Sequence, residues 1–297
     1  MNEIALVTCA RLPDLDPDDR PLIYSLARHG YRGVPAVWDD PSVDWDRFDL
    51  SVLRSTWDYT EKREEFVAWA LSVPRLANSA ALIEWNTDKR YLRDLEEAGV
   101  PVVPTTWLTP GGTVELPTVG EFVLKPSVGA GSRDAGRYDL SDAAARSRAH
   151  AHATRLLAGG QTVMLQRFAA AIEDAGETGV IFVGGRFSHA IRKAVTLTGE
   201  TAEQIDDLYV EETIDARQAS EAEIDLARRA IAAASTALGE DDLLYVRVDM
   251  VPGDDGAPLI MELELTEPSL FMVTNLESPE RFADAIVARA RRETESR

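Results

Sequence analysis

Two short runs near the carboxyl end limit the fold more than any other part of this chain. Tyr245-Val246-Arg247-Val248-Asp249-Met250-Val251 alternates polar and apolar residues, and so does Met261-Glu262-Leu263-Glu264-Leu265. Successive side chains of a strand point to opposite faces. Tyr245, Arg247 and Asp249 therefore share one face, with Val246, Val248 and Met250 on the other. Glu262 and Glu264 likewise share a face, opposite Met261, Leu263 and Leu265. Between the runs lies Gly253-Asp254-Asp255-Gly256, and a two-residue turn on Asp255-Gly256 sets Asp249 against Glu262 and Arg247 against Glu264. A one-residue bulge would break that register. Carboxylates directly opposed destabilise a sheet. A magnesium ion between them reverses the sign, because its ligands are hard oxygens, and Mn2+ is the other ion admitted. A hairpin with one solvated, charged face is the plain alternative. The apolar flanks favour a strand inside a sheet, hence a metal site at Asp249, Glu262 and Glu264.

Upstream, Ile4–Thr8, Val34–Trp38 and Leu50–Leu53 read as strands, with helices over Pro21–His29 and Glu61–Leu71. That order predicts a small α/β unit with a mainly parallel sheet, which binds ligands at the carboxyl ends of its strands. A helix is expected from Asp88 to Gly99, and a connection over Leu108–Pro117. The strand Phe122–Lys125 runs into Pro126-Ser127-Val128-Gly129-Ala130-Gly131-Ser132. A strand-end lysine beside a glycine-rich loop offers a cation and backbone N–H groups to a phosphate. The glycine spacing is neither that of a Walker A loop nor that of a dinucleotide fingerprint, so alone it is also an ordinary turn. Further on come a helix over Asp142–Leu157, a strand over Val163–Phe168, and a hairpin of Gly179–Val183 and Phe187–Ala190 across Gly184-Gly185. Helices follow over Glu221–Leu238 and Pro279–Arg292. The acidic, weakly periodic segment Thr196–Ile214 reads as a mobile loop.

With 51 acidic against 31 basic residues the net charge is −20, which disfavours nucleic acid and anionic membrane as partners. An anionic ligand must then be held by local lysines, N–H groups and metal ions. Cys9 is the single cysteine, which fits a reducing compartment. The start lacks a basic leader, and no apolar run reaches the ~18 residues of a membrane span. The expectation is a cytoplasmic protein, with a homodimer as the assembly left open.

The order of these pieces is more specific than any one of them. A helix-start lysine (Lys89), a strand lysine with its glycine-rich loop, the strand end Leu165-Gln166-Arg167-Phe168 with Glu173 beyond, then Arg-x-Asp and Glu-x-Glu, resemble the ATP-grasp superfamily over about Asn86 to Ser269. The resemblance implies an α/β chain, α+β in its C-terminal part: an N-terminal Rossmann-like domain (1–85), a helical linker with a small lid (86–168), and a C-terminal antiparallel domain (169–297) bearing the metal. It also implies ATP and Mg2+ as cofactors. On that likeness Lys89, Lys125 and Lys193 face the ATP phosphates, and the loop with Ser127, Gly129, Gly131 and Ser132 closes on them. Gln166, Arg167 and Phe168 meet the adenine, Glu173 the ribose, and Arg247 the transferring phosphoryl group. Glu264 departs from the superfamily, where asparagine is common.

Arg-Ser-Thr-Trp-Asp-Tyr at 54–59, Gly-Glu-Thr-Gly-Val-Ile-Phe at 176–182, Phe-Ser-His-Ala-Ile-Arg-Lys at 187–193 and Glu-Leu-Glu-Leu-Thr-Glu-Pro-Ser-Leu-Phe at 262–271 narrow the likeness. They resemble the branch that contains the cyclo-ligase closing O-ureido-D-serine in D-cycloserine biosynthesis. Substrate contacts are then expected from Arg54, Ser55, Trp57, Asp58 and Tyr59, and from Glu177, His189, Glu267 and Ser269. Arg54 follows a buried strand and could grip a carboxylate by two prongs, with Asp58 on an ammonium group; a surface Arg54–Asp58 pair is the bland alternative. The implied reaction makes an acyl phosphate of a small amino-acid-like carboxylate and joins it to an amine-type nitrogen. An intermolecular amino-acid or peptide ligase of the same fold is the first alternative. A nucleotide-binding protein without catalysis is the second, although it should have lost carboxylates or lysines that are all present here.

Overall fold

The structure, a computed structural model, describes residues 2–194, Leu208 and 213–295. β1 (Asn2–Thr8) leads through a loop and α1 (Pro21–Arg28) to β2 (Tyr31–Val37); β3 (Leu50–Ser55) and α2 (Arg63–Ser72) follow. The strands are parallel in the order β2-β1-β3. Ile4 to Thr8 are all buried, because both faces of such a sheet are covered and the strand reads as one apolar run.

The helix expected over Asp88–Gly99 is the shorter α4 (Tyr91–Glu97), and a helix not expected, α3 (Ala80–Asn86), precedes it across a turn. Ser79 caps α3 by accepting from the Leu82 N–H at 3.2 Å. In the turn the Asp88 carboxylate accepts from the Arg90 N–H at 3.1 Å, a local bond that competes with helix. Lys89 thus stands in a turn rather than at a helix start, its N–H donating to the Ser127 carbonyl at 2.8 Å.

β4 (Thr105–Leu108), β5 (Glu121–Pro126), β6 (Gly136–Asp139), α5 (Ala143–Ala158) and β7 (Val163–Arg167) form the next unit. Its antiparallel sheet runs β4-β7-β5-β6, and Ala149, Ala153 and Leu156 of α5 pack on Leu124 and Leu165. The last unit contains α6 (Ile172–Ala175), β8 (Glu177–Val183), β9 (Arg186–Lys193), β10 (Ile214–Arg217), α7 (Glu221–Leu238), β11 (Tyr245–Pro252), β12 (Pro258–Glu264) and α8 (Ser278–Glu295). Its antiparallel sheet runs β10-β9-β8-β11-β12. Gly184 and Gly185 both take positive φ, +55° and +74°, as the tight β8–β9 turn requires. Ser220 and Glu223 form a capping box at the start of α7. One face of the sheet packs on α7 and α4; the other packs through Tyr245, Phe282 and Ile286 on α8 and α1. The N-terminal and C-terminal units thereby share a core. Most of the segment expected to be a mobile loop, 196–214, lies outside the described residues; Leu208 is buried and Ile214 opens β10. No helix among the described residues is long and apolar enough to cross a membrane.

Candidate active site

β11 and β12 pair Arg247 with Glu264 and Asp249 with Glu262, but Met250 pairs with Ile260 and Pro252 with Pro258. The connection is wider than a two-residue turn: Gly253 N donates to Ala257 O at 2.7 Å, and Gly256 N to Gly253 O at 2.9 Å. A bulge in β12 then restores the offset before Glu262. Two departures from the simple hairpin cancel, so the expected pairing holds where the charges are. The bulge also moves Met261, expected on the apolar face, to the wall of the cavity.

On its other side Asp249 pairs with Gly179 of β8. A Cβ there would sit 3.0 Å from Asp249 Oδ1 and 2.9 Å from Ile191 Cδ1, so glycine leaves the space the carboxylate occupies. Gly179→Ala is expected to displace Asp249, with a loss of roughly 10–100-fold in kcat/KM and a stability cost of about 1–3 kcal/mol. Steady-state kinetics beside thermal melts check this; wild-type kinetics would mean that the position of Asp249 is not set by the close approach.

Arg247 Nε and Nη2 donate to Asp249 at 2.9 Å, and Lys193 Nζ at 2.8 Å. Lys193 also pairs with Glu177 at 2.7 Å, and Lys89 with Glu262 at 2.6 Å. Arg247 Nη2 reaches Glu264, its Nη1 donates to Ser269 O at 2.6 Å, and its guanidinium lies 5.3 Å from the Phe271 ring centroid. One oxygen from each of Asp249, Glu262 and Glu264 lies within 4.8 Å of the others. Burial alone would raise the Asp249 carboxyl, yet Arg247 and Lys193 hold it well below the ordinary range. At Glu262 burial also works upward, and Lys89 and Lys125 lower the carboxyl against it. At Glu264 burial wins, helped by the neighbouring Asp249 and Glu262 charges, and its carboxyl rises to about 7. Burial and the Glu264 charge push Glu267 up to about 8.

Arg247, Glu262, Glu264 and Glu267 face one cavity of about 580 Å3 between the three sheets, with Asp249 wholly buried behind it. Lys89, Lys125, Gly129, Gly131, Ser132 and Lys193 line it together with Gln166, Arg167 and Phe168. Trp57, Tyr59, Glu177, Glu267 and Ser269 line it too, and Trp57 Nε1 donates to Glu267 O at 3.0 Å. Among the described residues Lys125 is the cavity lysine with no carboxylate paired to it, and burial pulls its ammonium below the usual range.

Besides Asp249, six expected site residues do not line the cavity. Ser127 is buried behind the loop, its carbonyl held by Lys89 N. Glu173 is outside the cavity and pairs with Arg137 at 2.7 Å. Arg54 is wholly buried: Nε donates to Asp19 at 2.8 Å, Nη1 to Leu53 O at 3.1 Å and Nη2 to Pro268 O at 2.6 Å. Neither a grip on substrate nor the Arg54–Asp58 surface pair describes it. Ser55 donates to Asp19 at 2.9 Å, and Asp58 accepts from Trp38 Nε1 at 2.9 Å. His189 shares a bond with Leu270 O at 2.8 Å and lines a separate depression with Phe187, Thr274 and Asn275. Sequence reasoning missed Asp16, Asp18, Asn86, Tyr91, Arg133 and Phe271 on the cavity wall. Of these, only Asp16-Pro17-Asp18-Asp19 left a trace, as a proline-fixed acidic run.

Residues 4–78 match the family described as D-cycloserine synthetase DcsG, N-terminal domain. The chain is 39% identical over 307 residues to the cycloserine biosynthesis protein DcsG of Streptomyces lavendulae, covering 97% of this chain and 99% of that protein. The crystal structure of D-cycloserine synthetase DcsG superposes with a TM-score of 0.87 at 37% identity, over 97% of this chain and 100% of that one. The ATP-grasp ligase PsnB, solved with a precursor variant, Mg and ADP, shares the fold alone, with a TM-score of 0.62 at 18% identity, over 97% of this chain and 98% of that one.

Proposed function

The chain belongs to the family of the cycloserine biosynthesis protein DcsG, within the ATP-grasp ligases, and from that premise we propose that this ATP-dependent ligase closes a ring within one amino-acid-like substrate, O-ureido-D-serine. The substrate carboxylate attacks the γ-phosphorus of ATP, giving an acyl phosphate and ADP. The nitrogen bonded to oxygen then attacks the acyl carbon; phosphate leaves, the nitrogen loses a proton, and a five-membered ring closes. No protein nucleophile is needed, because such transfers run on positioning and charge neutralisation.

The observation that carries this reading is the opposition of charges across one cavity: Lys89, Lys125 and Lys193 beside Asp249, Glu262 and Glu264. Lys125, which forms no ion pair among the described residues, takes a phosphate oxygen, while Lys89 and Lys193 exchange a protein carboxylate for one. Arg247 turns between Glu264 and the transferring phosphoryl group. The carboxylate trio fits a hard divalent cation, Mg2+ or Mn2+. Glu262 and Glu264 line the cavity, and burial together with the Asp249 and Glu262 charges raises the Glu264 carboxyl, an effect that a cation would oppose. Asp249 lies behind them, already engaged by Arg247 and Lys193. Such a cation, when bound, neutralises charge on the phosphates as the phosphoryl group moves. We assign substrate binding to the 1–85 segment with Glu267 and Ser269, lid closure to 86–168, and the metal to 169–297.

The test is ADP release by the purified protein with O-ureido-D-serine alone, beside single amino acids and pairs of them. A single organic substrate should suffice. Release only when two amino acids are supplied would replace ring closure by intermolecular ligation.

A further inference from the structure

The β1–α1 loop brings two carboxylates to the cavity wall, Asp16 and Asp18, that pair with no cation among the described residues. Both are nine-tenths buried. Asp16 Oδ1 accepts from Asp18 N at 2.9 Å, and Asp18 Oδ1 from Val273 N at 3.0 Å. Asp18 Oδ2 is buried with no hydrogen-bond partner. The nearest guanidinium, Arg54, is consumed by Asp19 and two carbonyls, and Arg20 is spent on the carbonyls of Asp14 and Leu15. A buried carboxylate without a cation or a full set of donors is costly, and structures keep that cost chiefly where a ligand removes it. The loop is held in place: Leu15 takes a left-handed φ of 67°, Thr8 Oγ1 bonds Leu12 O at 2.6 Å, and Ser55 Oγ receives Asp16 N at 3.1 Å.

We propose that Asp16 and Asp18 form the ammonium-binding end of the substrate site, where they select an α-amino acid over the same acid without its amino group. This rests on the amino-acid ligase reading above. The polarity of the cavity agrees. Its cationic side, with Lys89, Lys125 and Lys193, takes phosphate and the reacting carboxylate. Asp16 and Asp18 reach the wall from the β1–α1 loop, with Trp57 also on it, and pair with no cation among the described residues, so a substrate ammonium has one end to which it is drawn. Trp57 gives the carbon chain an apolar wall between them.

Asn at either position keeps the Oδ1 acceptor for the Asp18 or Val273 N–H and removes only the charge, so Asp16→Asn/Asp18→Asn preserves the loop. Calorimetry with ADP present compares O-ureido-D-serine with 3-(ureidooxy)propanoate, which lacks the amino group. Wild-type protein should bind the amino acid at least about 10-fold more tightly, and the double variant should lose most of that preference. Its ATP dissociation constant should stay within about 2-fold of wild type, as expected for a change that is local to the ammonium. A double variant that keeps the preference, or a wild-type protein that has none while still releasing ADP with O-ureido-D-serine, overturns the ammonium site and leaves the ligase reading standing. Binding of neither compound, with ADP release from a carboxylate that has no amino group, overturns the amino-acid reading and the site with it.

Discussion

Glu262→Gln is expected to lower ATP-dependent turnover by at least about 1,000-fold while the protein stays folded. Glutamine keeps the volume and one oxygen but loses the charge that pairs with Lys89 at 2.6 Å. Its amide also puts a donor where a cation needs a second oxygen. Stability should hardly suffer, because the change removes one of three crowded carboxylates, and Lys89 keeps its bond to Gly129 O. It also leaves Asp249 engaged by Arg247 and Lys193. ADP release at limiting and saturating Mg2+, with a thermal melt alongside, measures both halves. Activity within 10-fold of wild type at limiting Mg2+ would remove Glu262 from the metal set.

How much of this was legible in the sequence depends on how local each cause is. α7 runs over Glu221–Leu238 as its spacing predicts, since the capping box and Gly239 mark both ends within the segment. The β11–β12 face was legible because alternation is a property of each strand alone, even though the turn and the bulge that set the register were not. β4 and β6 escaped notice: each has four residues and lies at a sheet edge, so neither carries a full apolar period. α4 starts at Tyr91 rather than Asp88 where the Asp88 carboxylate takes the Arg90 N–H, a local bond that helical spacing cannot show. Asp16 and Asp18 were not singled out, because the partners that fix them, Ser55 and Val273, lie far away in the chain.

Arg54→Ala is expected to cost about 3–5 kcal/mol of stability, since it breaks a buried ion pair from one side. The sequence suggested a substrate grip, for a strand end in a parallel sheet is where ligands bind. Here, however, the segment after β12 covers that end, so the guanidinium meets Pro268 O at 2.6 Å instead of solvent. It also lies 5.3 Å from the ring centroids of both Tyr245 and Phe282. Arg54 thereby fastens the parallel sheet to β11, to α8 and to the segment bearing Ser269. Alanine would leave the Asp19 carboxylate and the Pro268 carbonyl buried without their partner, and lysine could not reach three acceptors with the same planar geometry. A fall in melting temperature of roughly 10 °C is the expected reading. Adding Asp19→Asn to Arg54→Ala should recover part of it, because the orphaned charge is then gone. Below the melting transition KM for ATP should change little. A variant that melts like wild type yet loses only its affinity for the organic substrate would return Arg54 to the substrate site.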